Sequence, residues 1–154
     1  MQQWQASKYE LKSLCKAEVL IPEPADGQIL VRTGAVSLNY RDKLAKLGEF
    51  GRYHPFAYRP RVGCGRHRRP RGGAVRRFRV GERVTSHFAP KWLYGKARIR
   101  EQSATLGVPL PGVLAEYVLL DAEGAVPTPP YMSHVETSTL PIAALTAWSA
   151  LFEP

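Results

Sequence analysis

Short apolar runs separated by turn residues recur along the first 120 positions of the chain. The clearest run is residues 28–38, rich in aliphatic and β-branched side chains, which follows the structure-breaking segment 21–27. Residues 78–84 and 112–120 repeat this pattern of a turn followed by a strand. Short strands spaced by turns, with one short helix among them, predict a mainly β (α+β) fold built on a small, partly open β-barrel.

Uncommitted polar side chains lie at two junctions between an apolar run and a helix. Asn39 can cap a helix over residues 40–47, which Gly48 would end. Tyr40 stands beside this cap, and Thr146 lies at the second junction, near the C-terminus. Because α/β enzymes build their clefts at such junctions, these three side chains are the candidate site residues.

The chain changes character towards its C-terminus. Residues 127–130 contain three prolines and form a linker-like break. Residues 133–136 carry the Ser-x-x-Glu pattern of a helix capping box, and strong helix formers follow it. Pro141 is expected to interrupt this helix near its start. We therefore predict one domain over residues 1–124, and a linker with the first helix of a second, truncated domain over residues 125–154.

Composition indicates one ordinary globular core and excludes several classes of protein. The 154 residues are 44% hydrophobic and carry a formal net charge of +9, of which six charges are the arginines of residues 59–71. Cys15 and Cys64 are too few for a disulfide framework or a zinc site. Neither a signal peptide nor an apolar run of about 20 residues is recognisable. A reducing, cytoplasmic location without a membrane partner is expected.

The arginine-rich segment has two interpretations. Its arginines could neutralise phosphates while Tyr53, Phe56 and Tyr58 stack on bases. Nucleic-acid or anionic-surface binding through residues 59–79 is therefore the alternative function. We favour an anomalous strand and expect no nucleic-acid partner, because a functional basic arm usually lies at a terminus or on a recognisable module.

Six segments, taken in order, resemble the medium-chain dehydrogenase/reductase superfamily, and in particular its zinc-independent alcohol dehydrogenase and quinone oxidoreductase relatives. These segments are residues 22–24, 30–32, 37–42, 78–84, 112–118 and 140–148. The resemblance covers nearly the whole chain and implies a GroES-like domain, which in the superfamily precedes a Rossmann domain holding NAD(P). It also implies a small carbonyl, alcohol or enone substrate, and homodimers in many members. Because this sequence ends about where the Rossmann domain would begin, we expect an inactive fragment with weak or no NAD(P) binding.

The first junction differs from that of zinc-dependent relatives. Those relatives place a Cys-His pair where this chain has Asn39 and Tyr40, ahead of Asp42, and residues 91–112 hold no cysteine for a second zinc. The resemblance is therefore to the zinc-free branch, and no metal is expected. In that branch hydride passes directly to the substrate, which hydrogen-bond donors polarise. The resemblance implies that Asn39 and Tyr40 are catalytic and line the nicotinamide and substrate cleft, and that Thr146 hydrogen-bonds near the nicotinamide.

Each candidate also has a purely structural interpretation. Asn39 can be only an N-cap, Tyr40 an ordinary half-buried aromatic, and Thr146 a packing residue whose hydroxyl bonds to the preceding turn. Their joint occurrence in the superfamily's order favours the functional interpretation.

Residues 59–72 also depart from the superfamily pattern, which has a Pro-Gly-Ser-Asp-like stretch and a small, valine-rich strand there. Read one base further along, the codons from Arg59 permit Val and then Pro-Gly-Ser-Asp-Val-Ala-Gly-Thr-Val-Val, while the flanking spacing is kept. We hypothesise a compensated pair of frameshifts. Because six arginines cannot occupy a core strand unpaired, we expect the domain to lose this strand and expose the edges of its neighbours.

Restoring Pro-Gly-Ser-Asp-Val-Ala-Gly-Thr-Val-Val from Pro60 onward should raise the melting temperature, because fully buried apolar side chains contribute roughly 1.5–3 kcal/mol each. Any salt-sensitive attraction to nucleic acid should disappear, because the replacement removes the arginines at positions 61, 66, 68 and 69. Thermal melts of both versions, with a binding series at two salt concentrations, test this. An unchanged melting temperature with loss of a sequence-specific complex would instead support the basic-arm alternative.

Overall fold

The computed structural model describes residues 1–6, 8, 10–47, 63–68, 75–96 and 104–153. The strands in these ranges are β1 (Gln2–Ala6), β2 (Leu14–Glu18), β3 (Gln28–Val36), β4 (Gly63–Arg68), β5 (Arg83–Ser86), β6 (Tyr117–Asp121) and β7 (Ala125–Pro127). The α-helices are α1 (Tyr40–Lys46), α2 (His134–Thr139) and α3 (Leu145–Phe152), and a π-helical turn (Leu140–Ala144) joins the last two. A short 3-10 helix covers Leu11–Ser13. None of these described helices is long and apolar enough to cross a membrane.

Five strands form one antiparallel sheet in the order β6-β3-β4-β5-β7. β1 and β2 form a separate antiparallel hairpin. Backbone hydrogen bonds of Gln2 and Trp4 with residues 114–116 attach this hairpin to the segment before β6. Among the described strands, β6 and β7 are the outer ones and do not pair with each other, so the sheet is open. The structure thus confirms the predicted mainly β, partly open architecture.

The core is built where β3 pairs with β6. Alternate side chains of a strand face the same side of a sheet, and Ile29 and Val31 of β3 are 0% and 2% exposed. Their register partners are Leu120 and Val118, so aliphatic pairs lie directly opposite each other. The remaining buried members of this cluster are Phe78, Val84, Leu106, Val113, Ala115, Ala122 and Ala125.

The predicted apolar runs correspond to β3, β5 and β6 with shifted bounds. β3 ends at Val36, two residues before the predicted end. β5 starts late because Gly81, with φ of 90°, belongs to the turn that precedes it. β6 starts at Tyr117, since the residues before it bond to β1. β1 and β2 carry little strand signal in the sequence because they are mostly polar, reading QQWQA and LCKAE.

The expectation that the arginine-rich segment loses its strand is wrong. Residues 63–68 form β4, which pairs with β3 on one side and β5 on the other. Strand pairing uses backbone N–H and C=O groups, and the facing edges of β3 and β5 would otherwise lack partners. Residues 59–62 and 69–72, which the frameshift hypothesis also includes, lie outside the described residues.

The predicted C-terminal helix begins at its predicted cap. The Ser133 Oγ accepts a hydrogen bond from the Glu136 N–H at 3.2 Å, and the Glu136 carboxylate accepts one from the Ser133 N–H at 2.8 Å. Two hydrogen bonds from Ser133 hold the pKa of the Glu136 carboxyl below its ordinary value. The bond from the backbone N–H has the larger effect, and the bond from the hydroxyl has the smaller one. Pro141 lies in the π-helical turn between α2 and α3, which confirms the predicted interruption.

The strand β7 begins at the first residue of the predicted linker. It pairs with β5, and Ala125 lies opposite Ser86. Thr128, the first residue after β7, donates its N–H to the Arg83 carbonyl at 2.9 Å. The division of the chain into residues 1–124 and 125–154 stays a prediction.

Helix α2 packs onto β3 at Gly34. The pairing of β3 with β4 shifts register between Thr33 and Ala35, on either side of this glycine. A Cβ at Gly34 would lie only 2.7 Å from the Cγ of the His134 ring. The absence of a side chain at this position therefore allows α2 to approach the strand so closely.

Replacing this glycine tests the packing. Gly34→Ala should lower the free energy of unfolding by roughly 1–3 kcal/mol, because the added methyl overpacks the contact. Urea denaturation measures the change. His134→Ala on the same background removes the ring and should recover most of the loss, whereas equal stability of Gly34→Ala and the parent chain would contradict the observed approach.

Candidate functional site

The junction between β3 and α1 is held by hydrogen bonds around Asn39. Asn39 is the N-cap of α1, with extended backbone angles of φ −124° and ψ 157°. Its N–H donates to the Asp42 Oδ2 at 2.7 Å, and the Asp42 N–H donates to the Asn39 carbonyl at 2.8 Å. Asp42 is 7% exposed, so this bond is shielded from water. The structure confirms the predicted helix, which ends at Lys46, while Gly48 lies outside the described residues.

Tyr40 is displayed at the surface directly beside this cap. It is the first residue of α1 and is 70% exposed, so the interpretation of Tyr40 as a half-buried aromatic is wrong. The Lys43 Nζ lies 5.6 Å from the centroid of its ring. The Asn39 side chain is half-buried, and its Nδ2 donates only a long bond of 3.4 Å to the Ser37 carbonyl. An amide donor and a phenol are therefore carried by consecutive residues shortly after the end of β3.

Thr146 lies on α3, away from hydrogen-bonding partners. The side chains of Thr137, Ser138 and Thr139 on α2 all donate to carbonyls of the preceding turn. Within the described part of the chain, the Thr146 hydroxyl makes no such bond, and no hydrogen bond joins Thr146 to Asn39 or Tyr40. The structure brings Asn39 and Tyr40 together at one junction and does not connect Thr146 to them.

Helix α3 exposes apolar side chains around Thr146. Trp148 and Phe152 lie one turn apart, with ring centroids 4.7 Å from each other, and are 58% and 66% exposed. Leu145 and Leu151 are exposed as well. No residue of α3 is buried in the described structure.

Arg41 and Asp42 support this junction, a role that was not predicted from the sequence. The Arg41 Cζ lies 5.7 Å from the centroid of the Phe88 ring, which links α1 to the loop after β5. The Asn-x-x-Asp spacing of residues 39–42 is that of a capping box and could have indicated Asp42. Arg41 and Phe88 are far apart in the sequence, so no local sequence pattern could have predicted their contact.

Zinc independence stays a prediction from the sequence. Over the residues that the structure describes, no group of three or more His, Cys, Asp and Glu side chains could hold a metal ion. Cys15 is exposed and free.

Comparisons with known proteins assign the chain to a family. Residues 25–130 match the family described as Alcohol dehydrogenase GroES-like domain. The chain is 33% identical over 131 residues to a zinc-type alcohol dehydrogenase-like protein of Schizosaccharomyces pombe, a match that covers 82% of this chain and 36% of the relative. It is 32% identical over 136 residues to a chloroplastic quinone oxidoreductase of Triphysaria versicolor, covering 87% of this chain and 36% of that relative. The chain therefore spans about a third of the length of these curated relatives.

A solved structure extends the similarity to nearly the whole chain. The crystal structure of a Sinorhizobium meliloti protein assigned as an alcohol dehydrogenase matches with a TM-score of 0.88 and 42% identity. The match covers 99% of this chain and 46% of that one, so it includes both the β3–α1 junction and the C-terminal helices.

The cap at Asn39 is tested by removing its acceptor. Asp42→Ala should lower the free energy of unfolding by about 1–2 kcal/mol, the usual cost of losing a helix cap. Tyr40→Phe is the matched control on the same helix turn and should change stability by less than about 0.5 kcal/mol, because the Tyr40 side chain is exposed. Urea denaturation of the two variants checks both values. Equal effects of the two substitutions would show that the carboxylate does not hold the junction.

Proposed function

Because the chain belongs to the alcohol dehydrogenase GroES-like domain family, we propose that it is the substrate-binding part of an NAD(P)-dependent oxidoreductase. This family forms part of the medium-chain dehydrogenase/reductase superfamily. The proposed reaction is of the alcohol dehydrogenase and quinone reductase type and is zinc-independent. Its substrate would be a small carbonyl, alcohol or enone.

The proposal depends on the geometry of the β3–α1 junction. There the buried Asp42 fixes the N-cap, while Tyr40 stays exposed and the Asn39 amide is only weakly engaged. Polar side chains that lack strong partners and stand on a hydrogen-bonded backbone are suited to binding a ligand, since their donors need not be withdrawn from other bonds. The interpretation of Asn39 as an N-cap is confirmed, and its amide can serve the site at the same time, because the backbone makes the bond to Asp42.

These donors suit the polarisation of a carbonyl oxygen. When bound, NAD(P) would supply or accept the hydride. The Tyr40 hydroxyl and the Asn39 Nδ2 are both hydrogen-bond donors, and donors aimed at an oxygen stabilise the negative charge that develops on it. We assign Asn39 and Tyr40 this role, with both lining the shared cleft for nicotinamide and substrate.

Thr146 fits a role beside the cofactor. Its hydroxyl is unengaged in the described structure, unlike the hydroxyls of α2, and it lies among exposed apolar side chains on α3. A flat, partly apolar ring with an amide group, such as nicotinamide, offers contacts to both kinds of group. Thr146 would donate to or accept from that amide.

Zinc independence follows in this proposal from the chemistry of the donors. One relative is described as zinc-type, but an amide and a phenol at positions 39 and 40 are poor zinc ligands compared with thiolate and imidazole. Hydrogen-bond donors would therefore do the work of the metal.

The chain by itself should bind NADPH only weakly. Its 154 residues contain no Gly-x-Gly-x-x-Gly sequence, the loop that places backbone N–H groups around a pyrophosphate. Tryptophan fluorescence titration with NADPH measures the affinity, with N-acetyltryptophanamide as the control for absorption by the cofactor. Saturable binding in the micromolar range would contradict this expectation.

A chimera tests the proposed site residues. This chain would replace the matching part of the Triphysaria versicolor quinone oxidoreductase, and the chimera should consume NADPH in the presence of a quinone. Tyr40→Phe should lower kcat/KM by roughly 10²-fold, the loss expected for one donor to a developing charge. Tyr131→Phe removes a hydroxyl from another exposed tyrosine and is the control, with activity expected to be unchanged. If the two variants are equally active, Tyr40 has no role in the reaction.

A further inference from the structure

Three large apolar side chains are exposed in a row on the loop after β5. Trp92, Leu93 and Tyr94 are 38%, 52% and 88% exposed. They form the centre of residues 91–96, the aromatic loop, which has a lysine at each end. Three consecutive exposed apolar residues are unfavourable in water and usually mark a surface that contacts a protein or a membrane.

The aromatic loop is folded by its own hydrogen bonds. The Trp92 N–H donates to the Ala89 carbonyl at 2.9 Å, and the Trp92 Nε1 donates to the Gly95 carbonyl at 3.0 Å. Gly95 has a φ of 72°, a left-handed conformation that glycine adopts without strain. At the base of the loop, the Lys91 Nζ donates to the Asp121 Oδ2 at 2.6 Å. The exposed side chains are therefore presented by an ordered turn.

The internal bond of the Trp92 indole allows its ring to leave water. An N–H that loses water without gaining an acceptor costs free energy, and here the acceptor lies within the loop. Tryptophan and tyrosine side chains, which combine an apolar ring with one polar group, are typical of the interface between a membrane and water. The loop therefore has side chains suited to that interface.

A second exposed apolar segment meets the aromatic loop at a shared cavity. This cavity has a volume of about 470 Å³, and both Pro22 and Lys91 line it. Leu20 and Ile21, which directly precede Pro22, are 91% and 46% exposed. None of the three proposed oxidoreductase site residues lines this cavity. The exposed apolar surface here is therefore a different surface from the proposed site.

The charge around the aromatic loop indicates the partner. In the sequence, residues 91–100 carry four basic side chains and no acidic one, and the last four of these residues lie outside the described part of the chain. Asp121 offsets the charge of Lys91 at the base of the loop. Glu18 and Glu23 flank the second apolar segment, so the excess positive charge belongs to the aromatic loop and the residues that follow it. Anionic lipid headgroups would neutralise this charge.

Other partners and another apolar surface fit these observations less well. An isologous contact between two copies through this loop would bring like charges together. Aromatic rings can stack on nucleic-acid bases, but the aliphatic side chains of Leu20, Ile21 and Leu93 offer no such stacking. Helix α3 also exposes apolar side chains, but its eight residues carry no charge and would not attract an anionic surface.

We propose that the aromatic loop docks on the surface of an anionic lipid bilayer. Leu93 and Tyr94 enter the headgroup region, and Lys96 pairs with the anionic headgroups. The expectation of no membrane partner was based on the absence of a spanning segment, and a surface contact needs only a few exposed side chains. This contact does not depend on the proposed oxidoreductase function.

Co-sedimentation with lipid vesicles measures the contact. The chain should bind vesicles of phosphatidylcholine mixed with phosphatidylserine more strongly than vesicles of phosphatidylcholine alone. Leu93→Ser combined with Tyr94→Ser should lower the partition coefficient by roughly tenfold or more, because the apolar side chains that enter the bilayer are lost. Tyr131→Ser combined with Val135→Ser removes a similarly exposed pair after β7 and is the matched control, with binding expected to be unchanged.

A second pair of variants tests the charge. Lys96→Gln should lower the partition coefficient by roughly fivefold, the effect of one basic side chain near an anionic surface. Lys12→Gln removes the same charge from an exposed position on the 3-10 helix and should have a smaller effect.

Tryptophan fluorescence locates the contact within the chain. Mixed vesicles should shift the emission to shorter wavelengths in the parent and in Trp148→Phe, because the Trp92 ring enters a less polar environment. The shift should be absent in Trp92→Phe.

Four results would overturn the proposal. The parent chain could fail to bind the mixed vesicles. Equal binding by the two serine double variants would mean that only the net charge of the chain holds it to the vesicles. Loss of the emission shift in Trp148→Phe and not in Trp92→Phe would place the contact on α3. A dimer in sedimentation velocity, or a complex with single-stranded RNA, that the loop substitutions abolish without affecting vesicle binding would identify a different partner for the loop.

Discussion

Strand β3 pairs on both edges, and this double pairing constrains the rest of the structure. Its backbone bonds to β4 and to β6, and its buried residues Ile29 and Val31 form the centre of the core with their partners on β6. A strand hydrogen-bonded on two sides and buried at Ile29, Leu30 and Val31 has little freedom to slide, since a one-residue slip would move each of these side chains to the opposite face of the sheet. The position of the residues that follow β3, including the β3–α1 junction, is therefore well defined.

Several features of the structure are attached to this strand. Its end delivers Asn39 and Tyr40 to the surface, where Asp42 closes the first turn of α1. The bare backbone at Gly34 lets α2 pack on it, which positions the start of the C-terminal helical segment. Thr33 is one of the residues that line a cavity of about 490 Å³ beside the N-terminal hairpin. A rigid strand with short polar extensions is how a β domain can hold binding groups without loss of order.

The same need for backbone pairing explains why β4 forms although its sequence is unfavourable for a buried strand. The composition of residues 59–71 argues against a strand, yet β4 lies in the middle of the sheet. The backbone groups of β3 and β5 need partners whatever side chains the intervening segment carries. Backbone pairing and the suitability of the side chains for a buried strand are thus separate properties of β4.

Local patterns in the sequence determined the elements that depend on neighbours in the chain. The aliphatic run of β3, the cap of α1 at Asn39, the capping box of Ser133 and Glu136, and the interruption at Pro141 are all encoded within a few residues. The candidate site residues at the β3–α1 junction were predicted from the same kind of signal, because a strand end followed by a helix cap is a local pattern.

Only the tertiary structure decided the features that depend on distant partners. The polar hairpin β1–β2, the place of β4 between its neighbours, the contact of Arg41 with Phe88 and the approach of His134 to Gly34 carry no short-range pattern. The Gln3 Oε1 and the Thr33 Oγ1 are buried without hydrogen-bond partners, and this could not be predicted from the sequence, since glutamine and threonine side chains in strands are commonly exposed to water. Burial and long-range pairing depend on two segments that meet only in the folded chain, and the sequence of one segment does not determine which other segment it contacts.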